Sequence, residues 1–504
     1  GDRQEAARSG LFAPMNDTPS SPERPKLSLK KRPPLKHKKR SGLHSGGRPA
    51  PHRTPSEPRT PSGPKMKNVL SSRSAAFHIL TDIITHHKIL ADAVAAHHPL
   101  TELEQRDRSF ARLLIATCLR RNGQIASLLA PLVTPETDTP TRIILMIGIA
   151  QLVFIGTEAH ASIDTTVELA KHVLAPRRSG MVNAVLRRLQ RELNERLAAT
   201  NIIENLPRGL ASRWRDAWGA NELNKLAEQA MAVPPLDIAV KKDATFWAET
   251  LGGQVLTSQI VRCPPLGDIR AIPGYDEGAW WIQDAAAALP AEMLIASQGG
   301  SLNNKTVLDL CAAPGGKTAQ LAAAGARVCA VEKDPDRLAL LNDNLSRLSL
   351  SAEVVEADIL DYTPPHQSDF IILDAPCSAT GTFRRHPDIF LHKKAPDLVR
   401  LQQTQIALLE RSLNWVVDDG ALLYVTCSLQ PEEGEEVIET ILATGQARLL
   451  PFTENELGIF AAACHPKGWA RILPSCLDHI SSQSVTIGTG CDGFFVARLQ
   501  PVRS

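Results

Sequence analysis

The chain has 504 residues, 43% of them hydrophobic, which is enough to fill about two or three separate cores. Its net charge of +2 hides an uneven distribution, because residues 1–70 hold 16 Lys and Arg against 5 Asp and Glu, whereas the rest holds 40 against 49. This composition excludes a wholly disordered chain and predicts a mildly acidic globular body behind a basic arm.

The arm at residues 1–70 contains 12 of the 36 prolines and the run "KLSLKKRPPLKHKKR". It has almost no apolar periodicity, so it cannot bury enough surface to fold alone, and we predict that it is disordered. Two roles stay open for it: a solvated tail that favours solubility, or an electrostatic tether for the phosphate backbone of a nucleic acid.

Neither a membrane segment nor a disulfide framework is predicted. The longest apolar run, Ile143–Gly156, is too short to cross a bilayer and contains Gln151, so we interpret it as a buried helix. The first residues lack the pattern of a signal peptide. The nine cysteines are odd in number and form no C-x-x-C pair, which indicates a reducing compartment and disfavours a zinc site. We expect a cytoplasmic protein without a metal, and a monomer.

Residues 71–195 repeat apolar side chains every three or four positions, which predicts an all-α bundle. Its last helix, "SGMVNAVLRRLQRELNERL", carries Arg187 and Arg188 beside apolar positions. A charged helix face is commonly no more than solvated, so contact with RNA is one of two interpretations for these arginines. Residues 196–300 form a predicted connector subdomain, in which "GAWWIQDAAAALPAEML" predicts a short strand and then a helix that starts near Asp284.

Residues 301–504 alternate short β-rich runs with amphipathic helices, beginning with "TVLDL", "KTAQLAAAG", "RVCAVE", "PDRLALLNDNLSRL". Strand, helix and strand at this spacing predict a parallel sheet with helices on both faces, a Rossmann-like α/β domain. Ligands of such sheets bind outside the carboxyl ends of the strands.

Four successive predicted strand ends carry polar features. The first ends in the loop "CAAPGGKT", whose glycines let the backbone approach a ligand at a helix N-terminus. The second ends at Glu332, where a carboxylate can accept hydrogen bonds from both hydroxyls of a ribose, and the next two end at Asp358 and Asp374. One acid there is a common helix cap, but the ordered series predicts an adenosine-bearing cofactor. Because no phosphate-binding lysine motif is present, S-adenosylmethionine is the natural candidate.

Two cysteines are predicted at the same edge: Cys377 in "DAPCSATGTFRRHPD", and Cys427 at the end of the strand in "YVTCS". A lone cysteine at a strand end is usually an inert small hydrophobe. A pair beside a methyl donor suits methylation at carbon 5 of a pyrimidine, because a thiolate must first add at carbon 6 to make carbon 5 nucleophilic. An acid at N3 favours that addition, and a base must later remove the proton from carbon 5. By chemistry alone, either thiol could attack.

The motifs "DLCAAPGGKT", "DAPCSATGTFRRHPDI" and "YVTCSLQPEEGEEVI" resemble the signature motifs of the RNA 5-methylcytosine methyltransferases of the RsmB/NOP type. The helical segment, with "RDRSFARLL" and "MVNAVLRR", resembles the NusB-like RNA-binding domain of the bacterial RsmB branch. The resemblance implies an all-α NusB-like bundle followed by an α/β Rossmann-like, S-adenosylmethionine-dependent methyltransferase domain. The basic arm lies outside it.

The resemblance also implies roles for individual residues. Cys427 would be the nucleophile, Cys377 would assist proton removal and product release, and Asp374 would hold the target base. Glu332 stands where many members have Asp, and Ala379 stands where many have Gly. The residues implied for the cofactor site are Cys311, Ala312, Ala313, Pro314, Gly315, Gly316, Lys317, Glu332, Asp358 and Asp374.

A basic cluster follows Cys377 and fits a phosphate clamp on RNA, although its lysines could simply solvate a loop. Its members are Arg384, Arg385, His386, Lys393 and Lys394. A stacked cytosine hides its carbon 6, so the target base must be unstacked or flipped.

We expect an enzyme that makes 5-methylcytosine in small-subunit (16S) ribosomal RNA. One alternative is the same reaction on tRNA or another RNA, and a second is a catalytically inactive RNA-binding or ribosome assembly factor. A DNA cytosine methyltransferase is a third, but in that class the attacking thiol lies in the Pro-Cys motif, which would leave Cys427 without a role.

Overall fold

The computed structural model describes residues 64–392, 398–480 and 488–503, which all belong to one compact unit, Ser62–Ser504. The predicted basic arm lies outside the described residues except at its end, because the first helix already begins at Pro64. None of the helices in the described ranges combines the length and the apolar character that crossing a lipid bilayer requires.

Helices alone form the first part of the described chain, as the apolar periodicity predicts. Their apolar faces share one core, to which the first helix contributes Ile79, Leu80 and Ile83 at helical spacing. The bounds are α1 Pro64–His86, α2 Leu90–Ala96, α3 His98–Thr101, α4 Gln105–Arg120, α5 Asn122–Leu129, α6 Thr139–Ile149, α7 Ala159–Val173 and α8 Arg178–Ala198.

The apolar run Ile143–Gly156 is a buried helix, as predicted. It comprises most of α6 and a π-helical turn, Ala150–Ile155. The turn ends at Gly156, whose φ of 74° is a left-handed conformation that glycine adopts at little cost.

A long helix and a small sheet connect this bundle to the rest of the protein. The sheet has the strand order β2-β3-β1-β4, and its paired strands are antiparallel. The predicted strand and helix of "GAWWIQDAAAALPAEML" are confirmed as β4 and α11, with the Asp284 side chain accepting a hydrogen bond from the Ala286 amide at the start of the helix. The bounds are α9 Arg208–Met231, β1 Leu236–Val240, α10 Ala244–Leu251, β2 Gln254–Val255, β3 Ile260–Cys263, β4 Trp280–Ile282 and α11 Ala285–Ser297.

The last part of the chain is a large mixed α/β sheet. Alternate side chains of one strand enter cores on opposite faces, for example Ile372 on one face and Ile371 on the other. The bounds are β5 Thr306–Leu310, α12 Gly316–Ala323, β6 Arg327–Glu332, α13 Pro335–Arg347, β7 Glu353–Glu356, β8 Ser368–Asp374, α14 Ile389–His392, α15 Leu398–Leu413, β9 Val416–Thr426, α16 Glu435–Ala443, β10 Ala447–Leu449, α17 Glu454–Leu457, β11 Ala470–Ile472 and β12 Phe494–Pro501.

The sheet is parallel only in part. Strands β9, β8, β5, β6 and β7 are neighbours in that order and run parallel, as predicted. At the other side, which the prediction did not describe, β12 pairs antiparallel with β9, and β10 and β11 pair antiparallel with β12. Since β10 and β9 are both antiparallel to β12, they run in the same direction, and α16 connects them in the chain.

The helical bundle packs directly on the loop that follows β8. The Leu90 amide donates to Asp388 Oδ2 at 2.8 Å, and Arg120 donates to the carbonyl of Arg384 at 3.2 Å. Leu391, farther along the same loop, packs against the core of the bundle. The loop that carries Cys377 is therefore held from the helical side as well as by the sheet.

Candidate active site

The loop after β5 forms a tight turn at the carboxyl end of the parallel strands. It starts at Cys311, whose φ is 60°, and passes through Gly315, whose φ is 98°, into α12. A Cβ atom on Gly315 would lie 2.3 Å from Cδ1 of Leu341, so only glycine fits at this position. The backbone of this loop therefore lies at the carboxyl end of the strands, where ligands of such sheets bind. The loop contains the seven residues implied for the cofactor site, Cys311, Ala312, Ala313, Pro314, Gly315, Gly316 and Lys317.

The acids at the next two strand ends lie beside this loop in different ways. Glu332 ends β6 and is only 3% exposed; its carboxylate accepts hydrogen bonds from the amides of Lys333 and Asp334 at 3.0 and 3.1 Å. Asp358 lies two positions beyond β7 and is more exposed, with Oδ2 3.6 Å from Nζ of Lys333. Glu332 is therefore a buried acceptor held by backbone amides, and Asp358 is a more exposed acceptor.

Asp374, at the end of β8, is joined to the cofactor loop by an ion pair. The Lys317 ammonium lies 2.7 Å from Asp374 Oδ2, and the lysine side chain is 9% exposed. Burial alone would lower the pKa of Lys317, but the charge and hydrogen bond of Asp374 raise it above its ordinary value, with further contributions from Asp309 and Cys427. Lys317 therefore stays a cation inside the site.

The two cysteines meet at the ends of neighbouring parallel strands. Cys427 directly follows β9, Cys377 lies three positions after β8, and their sulfur atoms are 3.5 Å apart. The hydrogen bond with Cys427 and burial raise the pKa of Cys377 well above its ordinary value. Cys377 is therefore held as a neutral thiol that can donate to the Cys427 sulfur.

Ala379, two positions after Cys377, adopts φ = 55°. This left-handed conformation is one that glycine adopts at little cost and that costs a residue with a Cβ atom roughly 1 kcal/mol. The position where this chain departs from the family pattern is therefore one whose backbone favours glycine.

The arginines predicted to bind RNA fall into different environments. Arg384 is completely buried and donates to the carbonyl of Thr489 at 2.7 Å, so a phosphate contact through its guanidinium is incompatible with this structure, and that prediction is corrected. Arg385 is partly exposed and bonds to Asp492 at 2.8 Å. Burial raises the pKa of Asp492 to about 6, although the charge of Arg385 acts in the opposite direction.

The α8 arginines remain at the surface and distant in the chain from the catalytic loop. Arg187 bonds to Asn183 at 3.0 Å, and Arg188 pairs with Glu192 at 3.1 Å, each within one helical turn. Lys393 and Lys394 lie outside the described residues. The structure thus brings Cys311–Lys317, Glu332, Asp374 and the two cysteines to one edge of the sheet, and leaves the α8 arginines on the bundle.

Sequence reasoning missed two buried acids. Asp309 lies inside β5 and accepts from Thr318 Oγ1 at 2.6 Å, and burial raises its pKa to about 7. Glu433 lies six positions after Cys427 and is completely buried. Asp309 stands between apolar residues in "TVLDL", a pattern that could have indicated a buried charge. Glu433 is one of four glutamates in "PEEGEE", and nothing in the sequence distinguishes it from the other three. Among the described residues, no cluster of three or more His, Cys, Asp or Glu side chains is arranged to hold a metal ion.

The donor set fits S-adenosylmethionine. A glycine-containing turn offers close backbone approach, the Glu332 carboxylate suits ribose hydroxyls, and the acids at β6, β7 and β8 suit a positively charged ligand. These features place the protein in the class of α/β methyltransferases: a parallel sheet, a glycine-containing loop and acids at its strand ends, and a pair of thiols beside them.

Comparison with known proteins gives the family. Residues 300–500 match the family described as 16S rRNA methyltransferase RsmB/F, and residues 70–191 match the NusB family. Ribosomal RNA small subunit methyltransferase B of Klebsiella pneumoniae is 32% identical over 75% of this chain and 91% of its own length. The protein of the same name from Pseudomonas putida is 33% identical over 85% of this chain and 98% of its own length.

The crystal structure of PH0851 covers 88% of this chain and 100% of its own, with a TM-score of 0.65 and 20% identity, a likeness of fold. The chain belongs to the RsmB/F family of RNA methyltransferases, with a NusB-family domain before its catalytic part. This is a family of S-adenosylmethionine-dependent enzymes, so S-adenosylmethionine is the cofactor.

Proposed function

We propose that this enzyme methylates carbon 5 of a cytosine in 16S ribosomal RNA through a covalent adduct with Cys427. The observation that carries the proposal is the 3.5 Å approach of the Cys377 and Cys427 sulfur atoms beside the cofactor loop. A nitrogen methyltransferase needs neither thiol, whereas methylation at carbon 5 needs a nucleophile and a group that removes a proton. The curated relatives named ribosomal RNA small subunit methyltransferase B support the choice of RNA.

Cys427 is the better nucleophile of the two because of its surroundings. The negative charge of its thiolate contributes to the raised pKa of both Lys317 and Arg385, which means that both cations interact favourably with that thiolate. The Cys377 thiol can donate a hydrogen bond to the same sulfur. In this proposal Cys427, next to two cations and a hydrogen-bonded thiol, is the group that adds to carbon 6 of the base.

Cys377 then suits the later proton transfer. The largest contribution to its raised pKa is the hydrogen bond with Cys427, and that contribution disappears once the Cys427 sulfur is bonded to carbon 6. Cys377 can then lose its own proton to solvent, because the Cys427 sulfur no longer accepts a hydrogen bond from it. After carbon 5 has gained its methyl group, the Cys377 thiolate takes the proton from carbon 5. The electrons of that C–H bond reform the 5,6 double bond, and the bond between carbon 6 and Cys427 breaks.

Asp374 and Lys317 would orient the base. The carboxylate of Asp374 can accept a hydrogen bond from the exocyclic amine of cytosine, and the fixed Lys317 ammonium limits where that carboxylate can point. S-adenosylmethionine supplies an electrophilic methyl group when it is bound. Glu332 and the loop Cys311–Lys317 would hold that cofactor beside the thiols.

Covalent trapping tests the proposal. Wild type, Cys377→Ala and Cys427→Ala are incubated with S-adenosylmethionine and with total cellular RNA that contains 5-azacytidine, whose N5 carries no proton to remove. RNA that stays attached through denaturation is sequenced. We expect wild type and Cys377→Ala to retain 16S ribosomal RNA, and Cys427→Ala to retain none, because only the attacking thiol forms the bond to carbon 6.

Cys464→Ala is the matched control, because Cys464 is also partly exposed but lies outside the site, against the carbonyl of Phe452. Loss of the adduct in Cys377→Ala alone would reverse the two roles. Recovery of tRNA would show that tRNA is the substrate. Absence of any adduct with wild type would favour an RNA-binding factor that does not catalyse this reaction.

A further inference from the structure

One buried carboxylate joins the two cysteine loops. Glu433 belongs to a 3₁₀ turn, Pro431–Glu433, which follows Cys427 and precedes α16. It is fully buried. None of the ion pairs among the described residues includes Glu433, and hydrogen-bond donors hold its carboxylate.

The donors come from the residues that directly follow the two cysteines. The Ser378 amide donates to Glu433 Oε1 at 2.7 Å, and the Ser378 hydroxyl donates to Oε2. The Ser428 hydroxyl donates to Oε2 as well, and the two serine hydroxyls are 3.1 Å apart. A single carboxylate therefore bridges the backbone next to Cys377 and the side chain next to Cys427.

A further element of the domain holds the bridge in place. Gln405 of α15 donates to Glu433 Oε1 at 3.1 Å and to the carbonyl of Pro376 at 3.0 Å. The hydroxyl of Tyr424 donates to the Glu433 carbonyl at 2.8 Å. Contacts with α15 and β9 thus fix the position of Glu433. Because Glu433 is hydrogen-bonded to both cysteine loops, it fixes their positions relative to each other.

We propose that Glu433 is a positioning residue that sets the spacing of the two thiols and keeps the proton on Cys377 until Cys427 has bonded to the base. The inference rests on the proposed function and deepens it, because it explains how two similar thiols acquire different roles. The contacts of Glu433 with the two loops differ, because it accepts from the backbone amide of Ser378 beside Cys377 but only from the side chain of Ser428 beside Cys427.

The negative charge of Glu433 favours the neutral thiol form of Cys377. It is one of the groups that raise the pKa of Cys377, after the hydrogen bond with Cys427 and burial. A negative charge beside a thiol disfavours a second negative charge. Without the carboxylate, Cys377 would ionise at lower pH and would compete with Cys427 for the stabilising cations.

Three variants separate geometry from charge. Glu433→Gln keeps the length of the side chain and removes the charge, and Glu433→Asp keeps the charge but is too short to reach both serines. Ser428→Ala removes one arm of the bridge. Glu292→Gln is the matched control, because Glu292 is a partly buried glutamate that is also hydrogen-bonded to a hydroxyl, that of Thr257, away from the thiols.

The first readout is alkylation of Cys377 by iodoacetamide as a function of pH, followed by mass spectrometry of the intact, folded chain. We expect the midpoint for Glu433→Gln to fall by about one pH unit, and that of Glu433→Asp to stay near the wild-type value. Because no RNA is involved, this measurement is independent of the trapping experiment and of its outcome.

The second readout is steady-state methylation of 16S ribosomal RNA. We expect kcat to fall about tenfold or more in Glu433→Gln and Glu433→Asp and to fall less in Ser428→Ala, while KM values stay within about twofold. An unchanged alkylation midpoint in Glu433→Gln together with wild-type kcat in both Glu433 variants would overturn the inference. If Glu433→Gln does not fold, wild-type kcat in Ser428→Ala and Glu433→Asp would overturn it equally.

Discussion

The helical bundle and the methyltransferase domain bury charge to very different extents. Within the described part of the bundle, residues 71–198, the one buried charged side chain is Arg73, which donates to Gln151 at 2.8 Å. In the described part of residues 301–503, the buried charged side chains are Asp309, Lys317, Glu332, Arg384, Asp388, Glu433, Arg471 and Asp492. Both regions have well-filled apolar cores.

Apolar packing therefore dominates the interior of the bundle, whereas the catalytic domain holds many more buried charges. Removing a charge from water costs several kcal/mol unless partners compensate. Charges kept in spite of that cost tend to mark functional sites. The arginines show the difference most directly, since Arg188 is half-exposed on the bundle and Arg384 is completely buried near Asp284.

The largest expected effect tests the buried member of this pair. Replacing Arg384 with Met removes the bond to the Thr489 carbonyl and the cation 3.9 Å from Asp284, and should lower the free energy of unfolding by about 3 kcal/mol. Urea denaturation followed by tryptophan fluorescence measures it. Arg188→Met carries the same substitution at the surface and serves as control. A decrease in unfolding free energy of less than about 1 kcal/mol for Arg384→Met would show that this buried arginine contributes no more to stability than a surface arginine.

The next effect concerns the pH dependence of stability. Burial raises the pKa of Glu292 from 4.5 to about 7. Since the folded state holds this proton more tightly than the unfolded state, Glu292 costs no stability below about pH 4.5, and its penalty grows to about 3 kcal/mol as the pH rises to about 7. Glu292→Gln should therefore flatten the fall of the unfolding free energy between about pH 5 and pH 8, measured by denaturation at each pH. An unchanged slope of unfolding free energy against pH would show that Glu292 does not lower the stability of the protein as the pH rises.

The smallest effect on stability is expected at the surface of the bundle. Replacing Arg187 and Arg188 with Ala should change the free energy of unfolding by no more than about 0.5 kcal/mol per ion pair. If α8 contacts RNA phosphates, affinity for 16S ribosomal RNA should fall and the slope of log affinity against log salt should decrease by about one for each lost contact. An unchanged salt slope would leave α8 as a solvated face.

Some features followed from local sequence with little ambiguity. The three- and four-residue apolar periodicity up to residue 195 predicts helices because one face of a helix must be buried, and α1 to α8 are those helices. The short β-rich runs predict a parallel sheet, and β5 to β9 run parallel, although their order in the sheet was not predicted. The position of Cys427 after β9 follows directly from the end of its apolar run.

Tertiary structure alone decided the rest. The antiparallel direction of β12 depends on which neighbour it pairs with, and a strand's own sequence does not encode that choice. The burial of Arg384 depends on Thr489, Asp284 and Arg120, which are far apart in the chain and meet only in the fold.

The sequence by itself therefore determined which residues are helices, strands and strand-end side chains, because those depend on neighbours a few positions away. It could not determine that the Cys377 and Cys427 sulfur atoms lie 3.5 Å apart or that one glutamate bridges their loops. Those contacts join positions about fifty residues apart, and only the packing of β8 beside β9 brings them within the short range of a hydrogen bond.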